Sequence, residues 1–124
     1  MKHDDTRIYR KALELVRLSA QVIEGLPSGY AFLTDQLKRA SSSVALNFSE
    51  GYSKKTKREQ HHYFRIARGS AYEVSAAFDV ADCFGVIDQA HLSKGKDLCD
   101  HLAAMLTRFM AVSRRASPPA GTTE

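Results

Sequence analysis

The feature that most constrains this chain is the scarcity of residues that break helices. Its 124 residues contain three prolines and seven glycines, and no proline occurs between Pro27 and Pro118. The glycines in that interval stand singly, separated by long stretches of apolar and charged residues. An all-β domain of this size needs many closely spaced turns, which glycine and proline usually supply. The sequence therefore predicts long, uninterrupted helices.

Apolar residues recur at steps of three and four in four segments, which is the spacing of one helical face. The segments span residues 6–24, 30–52, 57–84 and 88–115. The apolar stripe of the second segment is Leu33, Leu37, Ala40, Val44 and Phe48. That of the third is Tyr63, Ile66, Ala67, Ser70, Val74, Ala77, Phe78, Ala81 and Phe84. Short connections between four such helices predict an all-α fold, an antiparallel up-and-down four-helix bundle.

Local signals set the expected ends of these helices. Asp4, Asp5 and Thr6 supply an N-cap and favourable charge for the first helix, and Asp88 can cap the fourth. Gly95 is expected to fray the start of the fourth helix or to shift it to Ser93. The bundle is expected to occupy residues 1–115. The small, polar, proline-rich run ASPPAGTTE at residues 116–124 is expected to be a disordered tail.

Cysteine usage and hydropathy give the expected location of the chain. Cys83 and Cys99 lie within apolar helical patterns, without a zinc-binding spacing, and are expected to be buried in a reducing compartment. The charged start, MKHDDTRIYRK, lacks the apolar region of a secretory signal. No apolar run approaches the roughly 20 residues that span a bilayer. The prediction is a cytoplasmic protein.

Apolar residues beyond the main stripes point to a partner. The fourth helix adds Leu92, Met105 and Met110, and the first adds Leu13 and Leu18. Wide apolar faces on a small bundle usually mean that another molecule covers part of the surface. A homo-oligomer is the simplest interpretation, and a monomer with scattered exposed apolar residues is the alternative.

The net charge of +4 is unevenly distributed. Residues 38–68 hold eight lysines and arginines and two glutamates, a local charge of +6, which leaves −2 for the remainder. Tyr52, His61, His62 and Tyr63 lie among these charges. Basic groups beside rings can bind phosphates and stack on bases, whereas a solvated helix face is the alternative. The predicted nucleic-acid-binding residues are Lys54, Lys55, Lys57, Arg58 and Arg65.

Motifs for chemistry are weak. Glu59 and His62 form one Glu-x-x-His pair, the spacing used by di-iron bundles, but such sites need a second pair and further inward carboxylates. Asp88 and His91 are the nearest analogue, at a helix start. The sequence shows neither a Gly-x-Ser-x-Gly elbow nor a glycine-rich phosphate loop. The predictions are therefore no enzyme, no metal and no cofactor.

One polar pattern is expected to be structural. Polar residues on the second and third helices lie beside small residues that let two backbones approach. Buried polar groups must be satisfied, so a hydrogen-bonded network at a helix or subunit contact is predicted, and it would fix the register. A catalytic Glu50 is the alternative. The predicted network comprises Arg39, Asn47, Glu50, Arg68, Ser70 and Glu73.

Two runs carry a family resemblance. LKRASSSVALNFSEG at residues 37–51 and YFRIARGSAYE at residues 63–73 resemble the two central motifs of the 23S rRNA-intervening-sequence (S23) protein family, and IYRKALEL at residues 8–15 also fits. The resemblance implies an antiparallel four-helix bundle that assembles as a homopentamer. It also implies kinship with the accessory variability protein of diversity-generating retroelements, a basic pentamer thought to bind nucleic acid. The expected function is thus a ring-forming bundle that binds RNA or DNA non-specifically, and a protein-interaction scaffold is the alternative.

Overall fold

Four helices make up the part of the chain that the computed structural model describes, residues 1–115. They are α1 (His3–Glu24), α2 (Ala31–Tyr52), α3 (Lys57–Cys83) and α4 (Gln89–Arg115). The described residues contain no strand. The predicted tail at residues 116–124 lies outside them. The predicted helices agree with the observed ones to within a residue, apart from α1, which begins three residues earlier.

The helices form an antiparallel up-and-down bundle. Each helix packs on the next, most extensively α2 on α3, and α1 closes the bundle against α4. The all-α fold predicted from the sequence is confirmed. In this topology the α2–α3 turn lies at the same end as the start of α1 and the end of α4. The α1–α2 and α3–α4 turns lie at the opposite end.

The core contains the predicted apolar stripe of α2. The apolar stripe predicted for α3 is partly wrong. All five predicted residues of α2 are buried. In α3 the core aromatic is Phe64, whose ring lies 5.4 Å from Phe48 and 5.3 Å from Phe109 between centroids. Ile66 and Phe84, predicted to be buried, are 39% and 55% exposed. The face of α3 that packs inward is set by Phe64 rather than by its neighbour Tyr63.

Capping agrees with the sequence at α4 and differs at α1. The Asp88 carboxylate accepts a 2.8 Å hydrogen bond from the backbone N–H of His91, as an N-cap does. The N-cap of α1 is Lys2, and the Thr6 hydroxyl donates to the Lys2 carbonyl. Asp5 instead turns inward and accepts from a tyrosine on α2.

Gly95 lies within α4 without interrupting it, contrary to the expected fraying. A Cβ built on Gly95 would lie 2.5 Å from the ring of Phe78, which is fully buried. The glycine therefore serves the close approach of α4 to α3. Gly51 serves α2 in the same way, because a Cβ there would lie 2.7 Å from the Phe64 ring.

The two cysteines differ in environment. Cys99 is buried as predicted, and burial raises the pKa of its thiol to about 12. Cys83 is exposed, so the prediction of burial is wrong there. It occupies the last position of α3.

The extra apolar residues of α1 and α4 belong to this chain's own core. Leu18, Met105 and Met110 are buried, and Leu13 and Leu92 pack against them. The expectation that they form a partner surface is therefore wrong. Within residues 1–115, no helix has the length and apolar character needed to cross a membrane.

Candidate nucleic-acid interface

The predicted cations lie in the turn between α2 and α3 and on the first turns of α3. We call Lys54, Lys55, Lys57, Arg58 and Arg65 the basic corner. The Lys54 backbone N–H donates to the Gly51 carbonyl at 3.1 Å, and the Gln60 side chain donates to the Lys54 carbonyl at 3.2 Å. These bonds tie the turn to both helices, so the basic corner is mounted on a defined backbone.

Lys54 is the most constrained member of the basic corner. Its Nζ lies 3.1 Å from a Glu50 carboxylate oxygen and 5.3 Å from the centroid of the Tyr63 ring. The hydrogen bond and charge of Glu50 raise the pKa of Lys54 above its ordinary value. Lys54 is therefore fully charged at neutral pH, with part of its charge balanced by Glu50.

Three other cations of the corner face solvent. Lys55, Arg58 and Arg65 are exposed, and among the described residues none of the three has an ion-pair partner. Arg58 and Arg65 are seven residues apart, so they lie on the same side of α3 about two turns from each other. The acid closest in sequence, Glu59, is occupied in capping α3. Its carboxylate accepts from the Thr56 hydroxyl at 2.9 Å, and its N–H donates back at 3.1 Å.

Some cations that are close in sequence lie apart in the structure. Lys38 lies between α1 and α2, where it lines a small cavity with Val16 and Ser41. Arg39 lies in the groove between α2 and α3, far along α2 from the turn. With Arg68 also directed elsewhere, the corner retains five cations and two glutamates, a local charge of +3. The basic surface of one chain is thus smaller than the +6 of the linear segment.

The predicted polar network separates into several parts within one chain. The Asn47 amide donates to the Ser43 carbonyl and hydroxyl at 3.0 and 2.9 Å, and the Ser70 hydroxyl donates to that of Ser43 at 2.7 Å. This group joins α2 to α3. Glu50 is held apart from it by its ion pair with Lys54.

The remaining members form two separate contacts. Arg39 donates to the Gln36 side chain at 2.9 Å, and Gln36 donates to Glu73 at 3.4 Å. Arg68 donates to the Thr107 hydroxyl on α4 at 3.0 Å. Both Arg39 and Glu73 are exposed. A network that includes all six residues across a subunit contact stays a prediction.

The Glu-x-x-His pair is not arranged around a common point. Glu59 bonds Thr56, whereas the His62 ring lies edge-on to Tyr63, with centroids 5.1 Å apart. In the part of the chain that is described, no three His, Cys, Asp or Glu side chains are close enough to share a metal ion.

An apolar strip on the outer side of α2 and α3 is a second candidate surface, which sequence reasoning missed. Of the eight large apolar residues exposed within residues 1–115, five belong to these two helices. Four of the five, Phe32, Leu46, Ile66 and Val80, form the strip. The Ser43–Ser70 hydrogen bond fixes an antiparallel register that sets Phe32 level with Val80, and Leu46 level with Ile66. We call this strip, with Arg39 and Glu73 at its middle, the α2–α3 face. The signal is a seven-residue spacing, which recurs at residues 32, 39 and 46 and at 66, 73 and 80.

Two residues that sequence reasoning left unassigned lie beside the basic corner. Tyr72 is 55% exposed and, together with Arg108, lines a shallow depression of about 360 Å³ between α3 and α4. Arg108 is exposed and comes next in sequence to Thr107, the residue that Arg68 bonds. The heptad step from Arg65 to Tyr72 was visible in the sequence. The approach of Arg108, 36 residues further on, depends on the tertiary fold.

The opposite end of the bundle has a cavity of about 560 Å³ between the α1–α2 and α3–α4 turns. His91 bridges it, with Nδ1 2.6 Å from the Asp88 carboxylate and Nε2 3.3 Å from the Gln21 side-chain oxygen. The Asp88 pKa is lowered, first by the backbone N–H of His91 and then by its ring. The contact between His91 and Gln21 fastens the start of α4 to the end of α1.

The fold and the basic corner together define an up-and-down four-helix bundle with one cationic turn. The chain belongs to the 23S rRNA-intervening sequence protein family, whose model matches residues 4–108. It is similar in structure to a protein of unknown function from the S23 ribosomal protein family of Bacteroides thetaiotaomicron VPI-5482. The TM-score is 0.80 at 14% identity, over 87% of this chain and 98% of that one. At that identity the likeness shows the fold. No curated protein matches the sequence.

Proposed function

We propose that this protein is a non-enzymatic, cytoplasmic helical bundle that binds RNA or DNA with little sequence preference through its basic corner. The observation that carries the proposal is the concentration of five cations on a well-anchored turn and the first turns of α3. Of these, Lys55, Arg58 and Arg65 are exposed and free of ion pairs within the described chain. Flexible cations facing solvent neutralise phosphates without reading base edges. Binding is therefore electrostatic and tolerant of sequence.

The second part of the proposal is a homo-oligomer, with the α2–α3 face covered by a neighbouring copy. Phe32 and Leu46 are 52% and 67% exposed in the single chain. The face also presents opposite charges, Arg39 and Glu73, that are joined only through Gln36 and are available to a copy of the same chain. The family resemblance implies five copies. A ring of that kind multiplies the modest +3 of one corner into a strongly basic surface.

A salt titration tests the binding. Fluorescence anisotropy with labelled RNA and DNA should give a log–log dependence of affinity on salt with a slope between about −3 and −5 per site, because about five phosphates are contacted. Reversing the charge of Lys54, Lys55 and Arg58 should weaken binding to every sequence equally. Reversal of Arg10, Arg17 and Lys94, exposed cations of α1 and α4, changes net charge identically and serves as the control.

Two results contradict the proposal. One is an affinity that does not change with salt, and the other is equal loss in both triple variants, which would assign binding to net charge rather than to the corner. Light scattering on the same samples gives the subunit count with and without nucleic acid.

A protein-interaction scaffold is the second candidate, and the groove of the α2–α3 face favours it. This groove has a volume of about 570 Å³, and its apolar lining includes Phe32, Ala76 and Val80. A chain that is monomeric by light scattering, and that retains a partner after nuclease treatment, would support this candidate over the first.

A further inference from the structure

The depression between α3 and α4 has the composition of a nucleobase site. Its lining includes the small side chains of Ala103 and Ala104 and the exposed ring of Tyr72. Its volume is about 360 Å³. Bases present large apolar faces, which stack on aromatic side chains. Two small side chains beside an exposed aromatic ring leave room for a planar base to stack on that ring.

The rim of the depression supplies polar groups of each kind that a base and its phosphate need. Thr107 contributes a hydroxyl, Asp100 a carboxylate and Arg108 a guanidinium. Arg68 adds a second guanidinium at the Thr107 side, where its Nη1 is 3.0 Å from the Thr107 Oγ1. A carboxylate and a hydroxyl bind the polar edge of a base, and arginines bind phosphate.

The depression lies on the same side of α3 as two arginines of the basic corner. Arg58, Arg65 and Tyr72 follow one another at seven-residue steps, so they lie on one side of α3, with successive members about 10 Å apart. A strand whose phosphates lie on Arg58 and Arg65 is thereby led to Tyr72. This side of α3 is distinct from the α2–α3 face, which carries Ile66 and Glu73, so a copy covering that face leaves Tyr72 open.

From this arrangement we infer that the Tyr72 depression holds an unpaired base of a single strand bound along the basic corner. The inference rests on the proposed function and adds the class of ligand, single-stranded nucleic acid. In a duplex the faces of the bases are stacked on one another and only their edges are reachable. The stacking surface of Tyr72 is therefore available to single strands alone, and it adds a preference for them to the electrostatic term.

Replacing the ring tests the inference. The probes are a labelled oligo(dT) strand and a duplex of two fully complementary strands, without a loop, with the same number of phosphates. Tyr72→Ala should weaken binding of the strand by about 5- to 150-fold, the range that corresponds to one stacked base, and leave duplex binding unchanged. Tyr72→Phe keeps the stacking ring and should bind the strand as the wild type does. Circular dichroism and light scattering on each variant verify fold and mass.

The outcomes separate the inference from the proposed function. If Tyr72→Ala binds the strand as tightly as the wild type, or loses strand and duplex equally, the inference is overturned. If charge reversal at Lys54, Lys55 and Arg58 still abolishes binding in that case, the proposed function stands. If the wild type binds neither probe at any salt concentration, both are overturned.

Discussion

Gly95 shows at the residue scale why a helix breaker can be required inside a helix. Alanine is favoured over glycine by about 1 kcal/mol in an exposed helix interior. At this position, however, the added methyl group would lie 2.5 Å from the ring of Phe78, and that ring is held in the core. Overpacking of this kind costs about 1–3 kcal/mol. The tertiary contact outweighs the local preference.

Gly95→Ala should therefore lower the free energy of unfolding by about 1 kcal/mol, the overpacking cost less the helical gain. The measurement is urea denaturation followed by circular dichroism. Gly69→Ala is the matched control, because a Cβ there meets nothing within 4 Å, and it should stabilise the chain by up to about 1 kcal/mol. Equal responses of the two variants would contradict the role given to Phe78.

The contact between Tyr52 and Asp5 is a second feature of residue scale. The Tyr52 hydroxyl donates to the Asp5 carboxylate at 2.8 Å and accepts from the Lys2 N–H at 3.1 Å. The Lys2 N–H acts to lower the pKa of Tyr52, but the hydrogen bond and charge of Asp5, together with burial, outweigh it and raise the pKa. This contact fixes the start of α1 on the end of α2.

Tyr52→Phe should destabilise the chain by about 1–3 kcal/mol, because it leaves the buried Asp5 carboxylate without this donor. Folding raises the pKa of Tyr52 above 10.0, so the phenol's contribution is complete below about pH 10 and is lost as pH rises through the folded value. Denaturation at neutral and alkaline pH measures both effects. The Tyr52→Phe variant should not show the loss of stability at alkaline pH. If that loss persisted in the variant, it would belong to another titrating group.

Neither residue contact follows from the sequence. The inward turn of Asp5 competes with its expected role in the cap, and the outcome depends on a tyrosine 47 positions away. The need for glycine at residue 95 depends likewise on a phenylalanine of another helix. Sequence patterns give the residue types available, whereas these assignments require the packed bundle.

At the scale of the element, the helix ends other than the start of α1 were predictable because their signals are local. Asp88 caps α4 as expected, and the Thr56–Glu59 capping box was present in the sequence as Thr-x-x-Glu. The inward face of α3 was less predictable. Tyr63 and Phe64 are adjacent aromatic residues, and either fits an apolar helical stripe. Packing against Phe48 and Phe109 decides between them.

The stabilisation that the Asp88 cap gives to the folded chain should depend on pH. Folding lowers the Asp88 pKa below 3.8, chiefly through the His91 backbone N–H, so the stabilisation is present above about pH 4 and is lost as pH falls through the folded value. Asp88→Ala should lower the unfolding midpoint at pH 7 and converge on the wild type in acid. Thr56→Ala, which removes a non-titrating cap, should cost about 1 kcal/mol at both pH values. If the unfolding midpoint of Asp88→Ala were below that of the wild type by the same amount at both pH values, the pH dependence would not come from the Asp88 cap.

For the whole molecule, the distribution of exposed apolar residues is the clearest guide to assembly. The sequence indicated a partner surface but placed it on the first and fourth helices, whose extra apolar side chains fill the core. The α2–α3 face became visible only when the register of the two helices was known. The charge of the corner changed for the same reason, since neighbours in the chain point to different sides of the bundle.

Leu46→Glu combined with Ile66→Glu should shift the protein to a lower mass in light scattering and leave its helix content unchanged. Both side chains are exposed in the single chain, so the change disrupts association rather than the core. Val112→Glu is the control, because Val112 is 56% exposed on α4, outside the face. An unchanged mass for the double variant would rule out the α2–α3 face as the subunit contact.

The up-and-down topology also decides where this protein can be modified for experiments. The start of α1 rests on Tyr52, and the end of α4 lies at the same pole as the basic corner. Affinity tags and surface-immobilisation handles at either end would crowd the region where nucleic acid is proposed to bind. A fluorophore or cross-linker is better attached at Ser28, an exposed residue of the α1–α2 turn at the far pole. A molecule anchored there would present its cationic pole outward.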